Sequence, residues 1–115
     1  MTDCIFCKII KGEIPAKFVY QDELMVGFYD ISPKAPVHVL VMPKKHLESL
    51  RSVNDGEKDL MGEVILTVHN VAKKLGIDKG GYKVVINNGE GAGQLVFHLH
   101  LHLLGGWNKS PGWQV

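Results

Sequence analysis

Residues 98–104 read His98-Leu99-His100-Leu101-His102-Leu103-Leu104, which puts half of the chain's 6 histidines in strict alternation with leucine. On extended backbone successive side chains face opposite sides, so the run predicts three imidazoles along one face of a strand and the leucines along the other. Neighbouring rings would root roughly 7 Å apart, the outer two about 13 Å apart. Such a row could be polar decoration of an edge strand, a metal site built on a His-x-His pair, or a catalytic row handling one extended anion. A single ion would collect all three only if the strand bent. In the catalytic case, close imidazoles disfavour charging one another, which keeps the central one neutral and nucleophilic near pH 7.

The segment just before this run, Asn87-Asn88-Gly89-Glu90-Gly91-Ala92-Gly93, favours the catalytic reading. Its glycines let backbone approach a ligand closely and turn N–H groups toward an anion. A second group with chemical potential is Cys4-Ile5-Phe6-Cys7, the two-residue gap of a zinc hook. The two thiols are too close in sequence to staple a fold, and no strand precedes them as a thioredoxin-like site would need. The alternative is a pair of unmetallated thiols in a small apolar helix.

These groups must be positioned by a modest set of elements. Residues 4–11 suit a brief helix closed by Gly12, and Pro15 blocks its continuation. Residues 18–20 and 25–29 read as a hairpin around Asp22-Glu23, and residues 37–42 as a buried strand ended by Pro43. The prolines of Asp30-Ile31-Ser32-Pro33-Lys34-Ala35-Pro36 mark a loop. Apolar residues at Leu60, Met61, Val64, Ile65, Val68, Ala72 and Leu75 follow intervals of three and four, predicting one long helix over 55–75 closed by Gly76. Residues 82–86 and 97–104 complete a set of five strands, and 105–115 is an irregular tail with Trp107 and Trp113. The expected fold is α+β: a five-stranded, mainly antiparallel sheet with one long and one short helix.

Composition bounds the function. With 115 residues the chain has one domain's worth of core, here taken as 1–115. A formal net charge of +1 lacks the basic footprint of general nucleic-acid binding, so no nucleic-acid partner is expected. The N-terminus does not read as a secretory signal and no run approaches the roughly 20 apolar residues of a membrane span, so a cytoplasmic location and no membrane partner are expected.

The run at 98–104 resembles the signature of the histidine triad (HIT) family, His-φ-His-φ-His-φ-φ with φ apolar, at every position. Lys11-Gly12-Glu13-Ile14-Pro15-Ala16-Lys17, the 30–36 loop, Pro43-Lys44-Lys45-His46 and Leu103-Leu104-Gly105-Gly106 extend the likeness over nearly the whole chain, toward the Hint branch of purine nucleoside phosphoramidases. The resemblance implies a homodimer in which two five-stranded sheets join. It also implies hydrolysis of the P–N bond in purine nucleoside 5′-phosphoramidates, with His100 attacking the α-phosphorus to form a nucleotidyl-histidine that water releases. His102 would bind the phosphate and assist the leaving group, His98 would belong to the row, and His38 would stack behind it and fix its tautomer. Asp30 would accept hydrogen bonds from ribose hydroxyls. Phe6, Ile9, Ile14, Phe28, Ile31 and Leu40 would wall the base pocket, and Asn87 with the backbone of Gly93 would hold the phosphate and leaving group. Read without the resemblance, Ile14, Phe28 and Leu40 are equally core residues, and Asp30 a turn former.

Some family members hold zinc with a Cys-x-x-Cys, the histidine after Pro-Lys-Lys and the first triad histidine; Cys4, Cys7, His46 and His98 match these positions. Four protein ligands would make that zinc structural, and no catalytic cofactor is implied. His69, beside the apolar stripe, reads as structural. One position departs from the Hint pattern: three residues before the first triad histidine stands Leu95, where a small hydroxyl or polar residue is usual. A leucine cannot donate a hydrogen bond to a leaving group. Two other functions therefore stand beside the first: a dinucleoside polyphosphate hydrolase, and a nucleotide-binding regulatory dimer with weak catalysis.

Overall fold

The computed structural model describes residues 3–112. Cys4 caps a short helix, α1 (Ile5–Ile10), by accepting the Cys7 N–H on its sulfur, and Gly12 at φ +82° ends the turn. Four strands follow the expected order: β1 (Phe18–Gln21), β2 (Met25–Tyr29), β3 (Val37–Pro43) and, after the long helix, β4 (Tyr82–Val85). The last strand, β5 (Leu101–Gly105), inserts between β3 and β4, giving an antiparallel sheet of order β1-β2-β3-β5-β4.

The long helix, α2 (Lys58–Lys74), is led in by a 3-10 turn at Asp55–Glu57. There Asn54 accepts the Gly56 N–H, and Glu57 reaches back to accept the Asn54 N–H, satisfying donors that the first turn leaves without partners. The helix ends at Gly76, φ +74°. No helix among the described residues is long and apolar enough to cross a membrane.

Alternation along the strands sorts the core onto the two faces of the sheet. Met25, Val39, Val41, Leu101 and Leu103 face α2 and pack with its Val64, Val68, Val71 and Ala72. Val26, Phe28, Leu40 and Met42 face the other way and pack with Phe6 and Ile9 of α1. Each fully buried valine or leucine contributes about 1.5–3 kcal/mol. Leu99 joins the α2 side as well, so the leucines of the histidine run pack as expected.

The strand carrying the run is shorter than the alternation predicts. The last β3–β5 pair is Val41 with Leu101, and β4 stops pairing at Val85 opposite His102. Pro43 has no N–H to continue the ladder. Residues 97–100 leave the sheet instead, with Leu99 N–H donating to the carbonyl of Leu47 at 2.6 Å and His98 bonding the carbonyl of Pro43. The three histidines therefore do not lie along one straight strand. The tail begins after Gly105, and Trp113 lies outside the described residues.

Candidate active site and metal centre

The bend at residues 97–100 divides the histidine run between two sites. His98 is fully buried and turns its Nδ1 toward Cys4 Sγ (3.5 Å), Cys7 Sγ (3.5 Å) and His46 Nδ1 (3.2 Å). Its Nε2–H donates to the carbonyl of Pro43 at 2.8 Å, which leaves the Nδ1 lone pair free to ligate. His46 Nδ1 lies 3.4 Å from Cys7 Sγ, and all four donor atoms fall within 4.8 Å of one another. A tetrahedral ion with metal–sulfur bonds of about 2.3 Å and metal–nitrogen bonds of about 2.05 Å requires sulfur–nitrogen edges of about 3.5 Å and nitrogen–nitrogen edges of about 3.3 Å. The cluster meets both, so these four residues could hold a metal ion. His98 does not line the cavity that His100 and His102 share.

That cavity, about 600 Å³, opens on the α1 face of the sheet. His100 and His102 stand on its wall with ring centroids 5.1 Å apart, and His38 from β3 stacks on His102 at 5.2 Å. The hydrogen bonds fix where each proton sits. His100 donates its Nδ1–H to the carbonyl of His98 at 2.6 Å, so its Nε2 carries a bare lone pair. The Lys34 backbone N–H donates to His38 Nδ1 at 3.0 Å, which puts the His38 proton on Nε2. That proton points to His102 Nδ1 at 2.9 Å, so neutral His102 carries its own proton on Nε2.

Burial lowers the pKa of His38, His98 and His100, and pushes His102 down to about 4 with help from His100 and His38. The row is neutral at pH 7.

Asp30 serves two purposes. One carboxylate oxygen accepts the Ser32 N–H at 2.8 Å, holding the loop, and the other lies 3.5 Å from His38 Nε2 at the cavity wall. Asp30, His38 and His102 also bring three donor atoms within 4.8 Å of one another. With its Nδ1 accepting from Lys34, His38 has no free lone pair at Nε2, so this trio is arranged to fix the tautomer of His102 rather than to hold an ion.

Phe6, Ile9, Phe28 and Leu40 are buried core residues and cavity walls at once, while Ile31 stands on the rim, 97% exposed. Ile14 lies outside the lining and supports the same apolar cluster from beside it. Asn87 and Gly93 line the cavity, but the glycine loop does not present its amides as expected. The N–H of Gly93 donates to Glu90, those of Ala92 and Gln94 to the carbonyl of Gly89, and that of Gly89 to the Gln94 side chain. A tight turn over Glu90–Ala92, with Gly89 and Gly93 at φ near +93°, consumes them. Gln94, almost wholly buried, also donates to the carbonyls of Glu48 and Val96. The turn so fixed holds Leu95 over the cavity at 89% exposure.

Sequence reasoning missed Lys34, which lines the cavity, supplies the tautomer-setting N–H and places a positive charge that acts on His38 and His102. The flanking prolines of its loop were the available signal. It also missed Phe6 as a support for His100: the ring meets it edge-on at 5.0 Å.

The HIT domain family matches residues 11–109. The chain is 49% identical to Protein HitA of Neisseria gonorrhoeae over 105 residues, which cover 91% of this chain and 97% of that one. A solved HIT family hydrolase from Legionella pneumophila Philadelphia 1 superposes with a TM-score of 0.91 at 42% identity, covering 96% of this chain and 98% of that one. A histidine triad nucleotide-binding protein from Candida albicans gives 0.80 at 36% identity, covering 98% and 86% respectively. This fold with a His-φ-His-φ-His-φ-φ run defines a histidine triad protein. The chain belongs to the HIT domain family.

Proposed function

We propose that this chain is a nucleotide hydrolase of the Hint branch, cleaving the P–N bond of purine nucleoside 5′-phosphoramidates through a nucleotidyl-His100 intermediate. The observation that carries this reading is the His100 Nδ1–H held on the His98 carbonyl, which leaves the Nε2 lone pair available at the wall of a ligand-sized cavity. The family membership supports it, as do relatives named as a hydrolase and a nucleotide-binding protein.

His100 Nε2 attacks the α-phosphorus, the P–N bond breaks, and the departing nitrogen takes the Nε2 proton of His102. His102 recovers a proton from the water that then attacks phosphorus, the bond to His100 breaks, and the nucleoside monophosphate leaves. Because the Nδ1–H stays on the carbonyl, the adduct is cationic at the ring and labile to water. His38 holds His102 in the donating tautomer, and Asp30 accepts the ribose hydroxyls with its outer oxygen. The base rests among Phe6, Ile9, Phe28, Leu40 and Ile31, with Ile14 behind them. Asn87 reaches the phosphate by its side chain.

Zinc bound by Cys4, Cys7, His46 and His98 would act as a cross-link between α1 and the peptide before β5. No proton or phosphoryl group passes through it, and the chemistry needs no catalytic cofactor. Two copies form the working homodimer, joined through α2 and the edge strand β4.

The test is hydrolysis of adenosine 5′-phosphoramidate beside diadenosine tetraphosphate by wild type and His100→Ala. Phosphoramidate turnover that falls at least 10³-fold in the variant, with a nucleotidyl adduct trapped on His100 of wild type, is expected. Preference for the polyphosphate would make the chain a dinucleoside polyphosphate hydrolase instead. AMP binding without turnover of either would make it a regulatory nucleotide-binding dimer.

A further inference from the structure

Cys4 and Cys7 bracket the residue that touches the nucleophile. Phe6 lies between them on the first turn of α1, and its ring packs edge-on against His98 at 6.1 Å and His100 at 5.0 Å. It also meets Phe28 at 5.5 Å on the cavity wall. The second link is the carbonyl of His98, which orients His100 while the His98 ring faces both thiols. The cysteine hook therefore reaches the reacting imidazole by one side chain and one peptide.

Both thiols are half-buried, within reach of a small solute. The Cys7 N–H already donates to Cys4 Sγ at 3.3 Å, and the two sulfurs lie within 4.8 Å of each other. Residues three apart on one helical turn have Cα atoms about 5 Å apart, inside the range a disulfide spans. Closing an S–S bond of about 2.05 Å draws Cys4, the N-cap, and Cys7 together across the first turn of α1.

We propose that Cys4 and Cys7 form a redox modification site, closed to a disulfide by hydroperoxides, and that closure disarms His100. One thiol gives up its proton as its sulfur attacks a peroxide oxygen; the O–O bond breaks, leaving a sulfenic acid and a hydroxide that takes that proton to become water. The second thiol likewise gives up its proton as its sulfur attacks the sulfenic sulfur; the S–S bond forms, and the expelled hydroxide takes that proton and leaves as water. In total, two thiols and one hydrogen peroxide give one disulfide and two waters, with two electrons passing from sulfur to oxygen. A zinc ion held by Cys4, Cys7, His46 and His98 would lose two of its four ligands and be released with its oxidation state unchanged. The tightened first turn moves Phe6, and the His98 ring loses its partners. The proton-holding carbonyl and the edge contact on His100 shift together.

This inference rests on the proposed metal centre and not on which nucleotide conjugate is cleaved. The experiment treats the purified protein, its zinc content measured first, with equimolar hydrogen peroxide. Five readouts follow: intact and peptide mass, zinc release by a colorimetric chelator, far-ultraviolet circular dichroism, AMP affinity by calorimetry, and phosphoramidate turnover. The expected result is a Cys4–Cys7 peptide two hydrogens lighter and zinc released in equal amount. The far-ultraviolet circular dichroism should stay native. AMP affinity and turnover should each drop at least tenfold and return with dithiothreitol and zinc. Protein found free of zinc would refute the metal centre, while the disulfide's effect on AMP affinity would still decide the link to His100. Oxidation that stops at sulfinic acid without a disulfide would overturn the proposal. So would a complete disulfide that leaves AMP affinity and turnover unchanged. Phosphoramidate inactivity of the reduced protein would count against the proposed substrate alone, and AMP affinity would remain the measure of the switch.

Discussion

His100 donates its Nδ1–H to the carbonyl of His98, two residues earlier, across 2.6 Å, while the ring of His98 turns the opposite way into the cluster of Cys4, Cys7 and His46. One residue thus serves two sites, its backbone the proposed nucleophile and its side chain the cluster that could hold a metal. A straight strand could not do this, since it would place both rings on one face. Loss of strand pairing beyond Val41 and Leu101 is what lets the two rings diverge.

Phe6 supports this arrangement from the cavity side, and its removal should separate packing from chemistry. Phe6→Ala is expected to lower stability by about 3 kcal/mol, as large-to-small core changes do, measured by urea denaturation. It should also raise KM for adenosine 5′-phosphoramidate at least fivefold, because the ring lines the cavity proposed to hold the base. Phe6→Leu, which keeps most of the volume, should recover most of the stability but not the KM. Full recovery of both would mean that Phe6 is only filler.

His102 should make its titration visible in stability. Burial beside His100 and His38 holds its pKa to about 4, with Asp30 opposing and Lys34 adding to the shift, whereas an unfolded histidine titrates near pH 6.5. Between those values the unfolded chain binds a proton that the folded chain refuses. Stability therefore rises with pH across this window and is lost as pH falls from 6.5 toward 4, by at most about 3 kcal/mol from this group. His102→Gln should lose less stability than wild type between pH 7 and 4.5 in chemical denaturation. His38 and His100, also lowered, keep some slope in the variant. Identical slopes would show that His102 is not the buried neutral group described.

Much of this was legible in the sequence because local rules carried it. The three-and-four spacing from Leu60 to Leu75, the glycines at 12 and 76 and the run of β-branched and apolar residues at 37–42 are all local signals, and each element formed where they place it. The family likeness brought Cys4, Cys7, His46 and His98 together on paper, and the fold places their donor atoms in one cluster. What was not legible depends on partners distant in sequence. The run at 98–104 alternates perfectly, yet Pro43 on another strand decides where it stops being a strand. The amides of the glycine loop are consumed by a turn around Gln94, whose own anchors lie at Glu48 and Val96. Lys34 matters through its backbone N–H, which side-chain chemistry does not announce.

Leu95 tests how the leaving group is served. It stands over the cavity at 89% exposure on a loop locked by buried Gln94, so a substitution there should leave the fold undisturbed. Leu95→Ser adds a hydroxyl donor beside the departing nitrogen and is expected to raise kcat for phosphoramidates several-fold with a melting temperature within 2–3 °C of wild type, roughly the range of a surface change. An unchanged or lower kcat at unchanged stability would mean that His102 alone serves the leaving group, or that the leucine itself contacts an apolar amine.

The proposed dimer makes a last demand on the surface of α2. Its inner face is buried under the sheet, yet Ile65 and Leu66 on the same helix are 55% and 60% exposed, and Val84 on the neighbouring edge strand β4 is 43% exposed. Apolar residues exposed on a helix and on an edge strand are the kind of surface that a partner covers. A second copy of this chain can cover it with the same patch about a two-fold axis. Leu66→Asp places a charge at that contact while pointing away from the monomer's core. Sedimentation velocity at micromolar concentration should show wild type as a dimer and the variant as a monomer with native circular dichroism. If both sediment as monomers, the patch has another occupant; if both are dimers, the two-fold contact lies elsewhere on the chain.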